Sequence, residues 1–260
     1  MSTLIFFYGL FIGSFLGVCI SRIPEEKSVI RPRSHCEACG RTLKFIDMIP
    51  IVSYLISKGR CRYCGDKLSL QYPIIELLTA CIYVIIYKVY GFNISSVYYM
   101  IFSSLLIIIT FIDFKHMIIP DGLIITGIII IILYNLLFYI FTSLDMNNMF
   151  VYSANLRDSL LGGLIGYGVF FIIVVVTGAM GGGDVRLMGI LGLAFGIKGI
   201  AFIAIGSFII GAIISVILMI TKIKGWKDMI PFGPFISITA LIYILYGNEI
   251  IINYLALFAG

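Results

Sequence analysis

The 260-residue chain is 61% hydrophobic and only 12% charged, with a mean hydropathy of +1.12, a balance that excludes an ordinary soluble domain. A formal charge of +5 would suit nucleic acid or an anionic surface if it were evenly spread. The basic residues are clustered instead, so they report membrane orientation, and nucleic acid is not an expected partner.

Apolar stretches of roughly 20 residues recur, the length that a hydrocarbon layer of about 30 Å requires. Strand-type alternation is absent, so the spans are helices. The predicted helices cover residues 1–23, 73–91, 97–113, 118–142, 157–178, 184–197, 199–221 and 232–257. The sixth is short and joins the seventh through "FGIKG", so a seven-helix and an eight-helix reading both stand, and eight is favoured. The N-terminal run has no basic residue before Arg22 and no small-residue cleavage site, so it is expected to stay as a membrane helix. Cys19 raises lipidation, but Val18 before it and the uncharged start argue against that.

Arg22 and the segment 24–72 hold ten of the eighteen Lys and Arg residues. With the N-terminus outside, Lys115, Arg186, Lys222, Lys224 and Lys227 also fall inside, and only Lys88, Arg157 and Lys198 fall outside. The positive-inside rule then places both termini outside, segment 24–72 in the cytoplasm and 143–156 as an external loop. The expected fold is an all-α polytopic membrane protein of about eight transmembrane helices, with a small cytoplasmic zinc-ribbon-like insertion between the first and second. Its parts are a first helix (1–23), the cytoplasmic zinc-binding segment (24–72) and a membrane domain (73–260). No internal repeat is visible.

Of six cysteines, Cys19 and Cys81 lie in apolar helices, while "CEAC" (Cys36, Cys39) and "CRYC" (Cys61, Cys64) form two CxxC knuckles with 21 residues between them. This is ribbon-type ligand spacing. A segment of about 50 residues buries little core, and one tetrahedral zinc would supply the missing staple. Disulfide or redox pairs are the alternative, disfavoured in a reducing compartment. Four thiolates leave no open position, so the zinc is expected to be structural. His35 beside Cys36 is read as solvated or supporting rather than as a ligand.

Glu76, Asp113, Asp121 and Asp184 lie in or at the ends of spans, where acidic groups are costly and usually functional. Asp184 follows Gly181, Gly182 and Gly183, and glycines in a row are expected where the chain turns with φ > 0 or another backbone comes close. Helix capping is the bland account of Asp184 and the preferred one for Asp121. It fails for Asp113, which ends a helix whose dipole disfavours an anion. Two carboxylates at one membrane face can divide labour as in aspartic proteases: one takes a proton from water while the other hydrogen-bonds the scissile carbonyl. Gly181, Gly182 and Gly183 would then let a substrate backbone approach. Glu76 is either an interfacial cap or partner of a nearby arginine, or a contributor to ligand binding. Two other readings are an ion or proton transporter using these carboxylates, and a membrane-anchored zinc scaffold. The first wants acids near the midplane, and the second leaves the aspartates unexplained.

The order "GSFLGVCISRIP", two CxxC knuckles, "DMIPIVSYLISKGRCRYCG", "QYPIIELLTA", "IDFKHMIIPD", "GGGD" and "IPFGPF" resembles the type IV prepilin peptidases, membrane aspartyl proteases of the GxGD group. The resemblance implies that Asp113 and Asp184 are the catalytic pair. It also implies cleavage, at the cytoplasmic face of a bacterial inner or cytoplasmic membrane, of the basic leader of type IV prepilins and pseudopilins. N-methylation of the new terminus with S-adenosylmethionine is implied by the resemblance alone, since no Rossmann-type glycine loop is present. It gives Glu76 a matching place but no role, so a contribution to binding the leader or the methyl donor stays one of its two readings. Gly17 departs from the pattern, where many relatives carry asparagine.

Overall fold

The computed structural model describes residues 1–143, 150, 155–178, 180–225 and 228–258. Most of the expected external loop 143–156, and Ala179 in the glycine turn, lie outside the described residues. The described chain is almost wholly helical: α1 (Ser2–Arg22), α2 (Val52–Ile56), α3 (Gln71–Tyr90), α4 (Ile94–His116), α5 (Asp121–Ser143), α6 (Leu156–Thr177), α7 (Gly182–Ile220) and α8 (Gly233–Phe258). Among the described residues, β structure is limited to two isolated bridges, His35 with Thr42 and Arg60 with Lys67. Six helices, α1 and α3 to α7, are long and apolar enough to cross a membrane. The protein is a multi-pass membrane protein.

Packing divides the chain into two compact units, Met1–Ile108 and Ile109–Gly260. In the first, α1 lies against α3 through a glycine stripe. A Cβ at Gly9 would stand 2.6 Å from Ala80 Cα, and one at Gly13 would stand 2.6 Å from Glu76 Cα. This is the small-residue packing that lets helix backbones touch where lipid provides no hydrophobic drive between helices. The opposite stripe, Leu4, Phe7, Phe11 and Phe15, is exposed, as a lipid-facing surface requires. Between α3 and α4, Asn93 and Ser96 form a reciprocal cap: Ser96 N–H donates to Asn93 Oδ1 at 2.7 Å, and Asn93 N–H donates to Ser96 Oγ at 3.2 Å.

In the second unit, α6 and α7 make the closest helix pair, with Gly192 so near Gly162 that a Cβ on either would fall inside the other's backbone. The sixth and seventh predicted helices are one hydrogen-bonded element of 39 residues, interrupted at Gly196 (φ 69°, ψ −169°). A straight helix of that length would run about 58 Å, nearly twice the hydrocarbon thickness, and the break separates a short segment before Gly196 from a part after it that is long enough to cross. The next N–H, of Ile197, donates to Asp158 Oδ1 on α6 at 3.2 Å, which satisfies a donor that the break leaves free. Eight spans are thus reached only by counting α7 twice and adding α8.

Candidate active site and metal centre

The two cysteine knuckles have the same local build. Cys36 N–H donates to Arg41 O at 3.0 Å and Gly40 N–H to Cys36 O at 2.8 Å. Cys61 N–H donates to Asp66 O at 2.8 Å and Gly65 N–H to Cys61 O at 2.9 Å. Gly40 and Gly65 take φ of 68° and 76°, the left-handed turn that glycine adopts freely. The pattern C-x-x-C-G-x-x-L occurs at 36–43 and again at 61–68, a short internal repeat that the sequence reading passed over.

All four sulfurs lie within 4.8 Å of one another, and Cys36 Sγ is 3.8 Å from Cys64 Sγ. A tetrahedral metal with bonds of about 2.3 Å to sulfur separates its ligands by about 3.8 Å, whereas a disulfide needs about 2.05 Å. The cluster fits a metal, and the cysteines are unbridged. His35 is exposed, its Nδ1 3.1 Å from Arg33 O. Asp47 ties the second knuckle to the turn at Phe45–Met48: it accepts from Tyr63 Oη at 2.7 Å and pairs with Arg62 at 3.4 Å. Slight burial pushes its carboxyl up, but the Tyr63 hydroxyl, the Lys44 N–H and the Arg62 and Lys44 charges outweigh this and hold it below the usual value.

Glu76 is buried, and among the described residues it forms no ion pair with an arginine. It accepts the Ile51 N–H at 2.7 Å and a hydrogen bond from Ser14. Ile51 sits at φ 58°, ψ −49°, and Val52 N–H reaches Pro50 O at 2.5 Å. This is a γ-turn of the rare, strained hand, centred on a β-branched residue. Such backbone costs on the order of 1–3 kcal/mol and persists only where its surroundings hold it. Glu76 is that holder. On the other flank, Arg22 Nη1 donates to Ser28 O at 3.1 Å and Pro32 O at 2.9 Å, closing the chain that leaves α1.

The aspartates belong to the second unit. Asp113 lies in the last turn of α4, which runs on to His116 rather than ending at the aspartate. It is 5% exposed and accepts the Gly233 N–H, at the start of α8, at 3.0 Å. Asp184, 8% exposed, is the third residue of α7 rather than its N-cap, which is Gly181, and it takes part in capping through its side chain as the capping-box partner of Gly181. Its Oδ2 accepts the Gly181 N–H at 3.2 Å, and its own N–H donates to Gly181 O at 3.1 Å.

Ile119 brings these pieces together. A Cβ at Gly183 would stand 2.9 Å from Ile119 Cβ, and one at Gly233 would stand 3.4 Å from Ile119 Cδ1. The start of α7, the start of α8 and, through Asp113, the end of α4 therefore meet around one side chain. The glycines are not there for positive φ, since none of Gly181, Gly182 and Gly183 has it. Gly183 is small because Ile119 leaves no room, while Gly181 and Gly182 have no protein atom closer than 3.6 Å to a built Cβ and leave their backbone approachable. Asp121 opens α5, exposed, and forms an ion pair with Arg186, two residues beyond Asp184. The sequence reading missed that pair and the Gly233 N–H. "IPFGPF" marked the latter's place without revealing its contact.

Residues 7–90, with the four cysteines and Glu76, match the bacterial peptidase A24 N-terminal domain. Residues 100–216, with both aspartates, match the type IV leader peptidase family. A prepilin leader peptidase/N-methyltransferase of Bacillus subtilis is 33% identical over 268 residues, covering 100% of both chains. The chain belongs to the type IV leader peptidase family. Proteins with the same description from Dichelobacter nodosus and Xanthomonas campestris pv. campestris are 32% and 30% identical, covering 95% and 97% of this chain and 93% of each relative. No solved structure matches. Within this peptidase family, the transporter reading has no support, and Gly233 lies beyond the segments that the two family models match.

Proposed function

We propose that the chain is a membrane aspartyl endopeptidase that removes the basic leader of type IV prepilins and pseudopilins and then N-methylates the new terminus. The observation that carries the cleavage reading is that Gly233, whose N–H binds buried Asp113, and Gly183, the neighbour of buried Asp184, both close on Ile119, with Asp184 accepting the Gly181 N–H. One carboxylate, ionised, takes a proton from the attacking water. The other, protonated, donates a hydrogen bond to the scissile carbonyl as its oxygen gains charge. The Gly233 and Gly181 N–H groups hold the two side chains against rotation. The open backbone at Gly181 and Gly182 is where the substrate chain would lie.

The four thiolates are read as a structural zinc site, because a closed sulfur set leaves no position for water. Cys36, Cys39, Cys61 and Cys64 would hold the ion and fold the insert. The N-methyltransferase part rests on the relatives' description and on the resemblance, with S-adenosylmethionine as donor. Segment 24–72 faces the cytoplasm in this reading, both termini face out, and the membrane is the bacterial cytoplasmic one, on the distribution of basic residues.

The test is mass spectrometry of a prepilin incubated with purified protein, with and without S-adenosylmethionine. Loss of the leader is expected in both arms, and one added methyl group only with the donor. Asp113→Asn and Asp184→Asn should each nearly abolish cleavage, and the double variant should be little worse, because residues that act as a unit are non-additive. Cleavage at near the parent rate by stably folded Asp113→Asn would remove the dyad.

A further inference from the structure

The cytoplasmic insert carries an apolar surface that the site does not use. Phe45 and Ile46, in the turn Phe45–Met48, are 72% and 57% exposed, and Leu55 and Ile56 of α2 are 67% and 65% exposed. Val52 is exposed as well, and 52, 55 and 56 share one face of a helix. The turn and α2 pack on each other. Lys44 stands immediately before the patch and Lys58 just after it, both exposed. An apolar centre with a basic rim suits the boundary between headgroups and acyl chains of an anionic bilayer.

The γ-turn supplies the depth. Ile51, the residue before α2, is bound through its N–H to Glu76 at 2.7 Å, and Glu76 is five residues into the span that starts at Gln71. At about 1.5 Å per residue this is about 7.5 Å from the helix start. Interfacial helices settle with their apolar face about 5–10 Å into the boundary. The insert is also tethered at both ends to spanning helices, α1 and α3.

We propose that α2 and the Phe45–Met48 turn lie on an anionic bilayer as an interfacial shelf, and that Glu76 is the positioning residue that sets its depth. Phe45, Ile46, Val52, Leu55 and Ile56 enter the acyl boundary, while Lys44 and Lys58 meet acidic headgroups. The backbone strain at Ile51 is then the turn that lays the helix flat.

Tryptophan at position 55 reports this directly. The full-length, metal-loaded protein carrying Leu55→Trp and Trp226→Phe is placed in nanodiscs of phosphatidylglycerol and phosphatidylcholine, and quenching by shallow brominated lipid is compared with quenching by acrylamide in the water. The expected result is blue-shifted emission that shallow bromolipid quenches strongly, as a depth of about 5–10 Å requires, with weak acrylamide quenching. Glu76→Ala should exchange the two sensitivities, whereas Glu76→Gln, which still accepts the Ile51 N–H, should match the parent. Lys44→Glu with Lys58→Glu should reduce bromolipid quenching in the anionic discs but not in purely zwitterionic ones. Acrylamide quenching like that of free tryptophan, with no bromolipid effect, overturns the shelf. So does protection that arises only with rising protein concentration, which marks a second copy, or only on adding prepilin, which marks the substrate. If Glu76→Ala fails to fold, the unsubstituted probe protein still decides the question.

Discussion

Gly233→Ala tests how tightly Asp113 is held. A Cβ at that position would stand 2.7 Å from Asp113 Oδ2 and 3.2 Å from its carboxyl carbon, where an ordinary carbon–oxygen contact is about 3.3 Å or more. The carboxylate must retreat by about 0.6 Å, and its 3.0 Å hydrogen bond from the Gly233 N–H is lost or bent. A misplacement near 1 Å at a reacting group costs about 10²-fold. The expected fall in kcat/KM is therefore about 30- to 100-fold, or about 2–2.7 kcal/mol of transition-state stabilisation. It should appear in kcat rather than KM, because the substitution moves the chemistry and not the substrate's grip. Gly233 does not have a positive φ, so alanine strains no backbone there, and the melting temperature should stay close to the parent's. Cleavage is followed by mass spectrometry under saturating and limiting prepilin. In the Asp113→Asn background the same substitution should add little. A folded Gly233→Ala protein within threefold of the parent rate, about 0.7 kcal/mol, would refute the claim that this N–H positions the carboxylate.

The pH dependence of kcat/KM should be bell-shaped, since one carboxylate must be ionised while its partner is protonated; a rate that stays flat through the acid and neutral range excludes that division of labour. Cys36→Ser should release the metal and loosen the insert while sparing cleavage more than methylation; less than half an equivalent of zinc in freshly purified parent protein counts against the site. Cysteine placed at Asn147 should be labelled by an impermeant reagent from the outer face, and labelling only from the cytoplasm overturns the orientation.

The sequence made the spans legible because a helix in lipid needs a long apolar run and nothing else. The cysteine cluster was legible because metal geometry fixes ligand spacing. Asp113 stood out because a helix C-terminus gives no reason for an anion. The Gly233 N–H and Ile119 were not legible: both act through contacts between chain segments far apart in sequence, and neither residue type carries chemistry of its own. Of the two causes open for the glycine triplet, positive φ is not used, and close approach is met at Gly183 by the Ile119 side chain rather than by a backbone. Glu76 was placed but not explained, because its partner is the backbone of an ordinary-looking isoleucine whose strained turn only coordinates reveal. The seam at Gly196 was half legible: "FGIKG" hinted at it, but hydropathy is continuous across it.

That seam also fixes a length. From Asp184 to Gly196 is twelve residues, about 18 Å of helix, against a hydrocarbon layer of about 30 Å. Arg157, Asp158 and Lys198 all lie at the level of the break, with Arg157 and Lys198 exposed. In the orientation proposed above, with Asp184 at the cytoplasmic face, this part of α7 falls short of an average bilayer, while α6, at 22 residues, is long enough to cross one. Hydrophobic mismatch costs fractions of a kcal/mol per Å, so acyl-chain length becomes a physical variable of this protein, one that a detergent micelle erases and a series of bilayers of graded thickness restores.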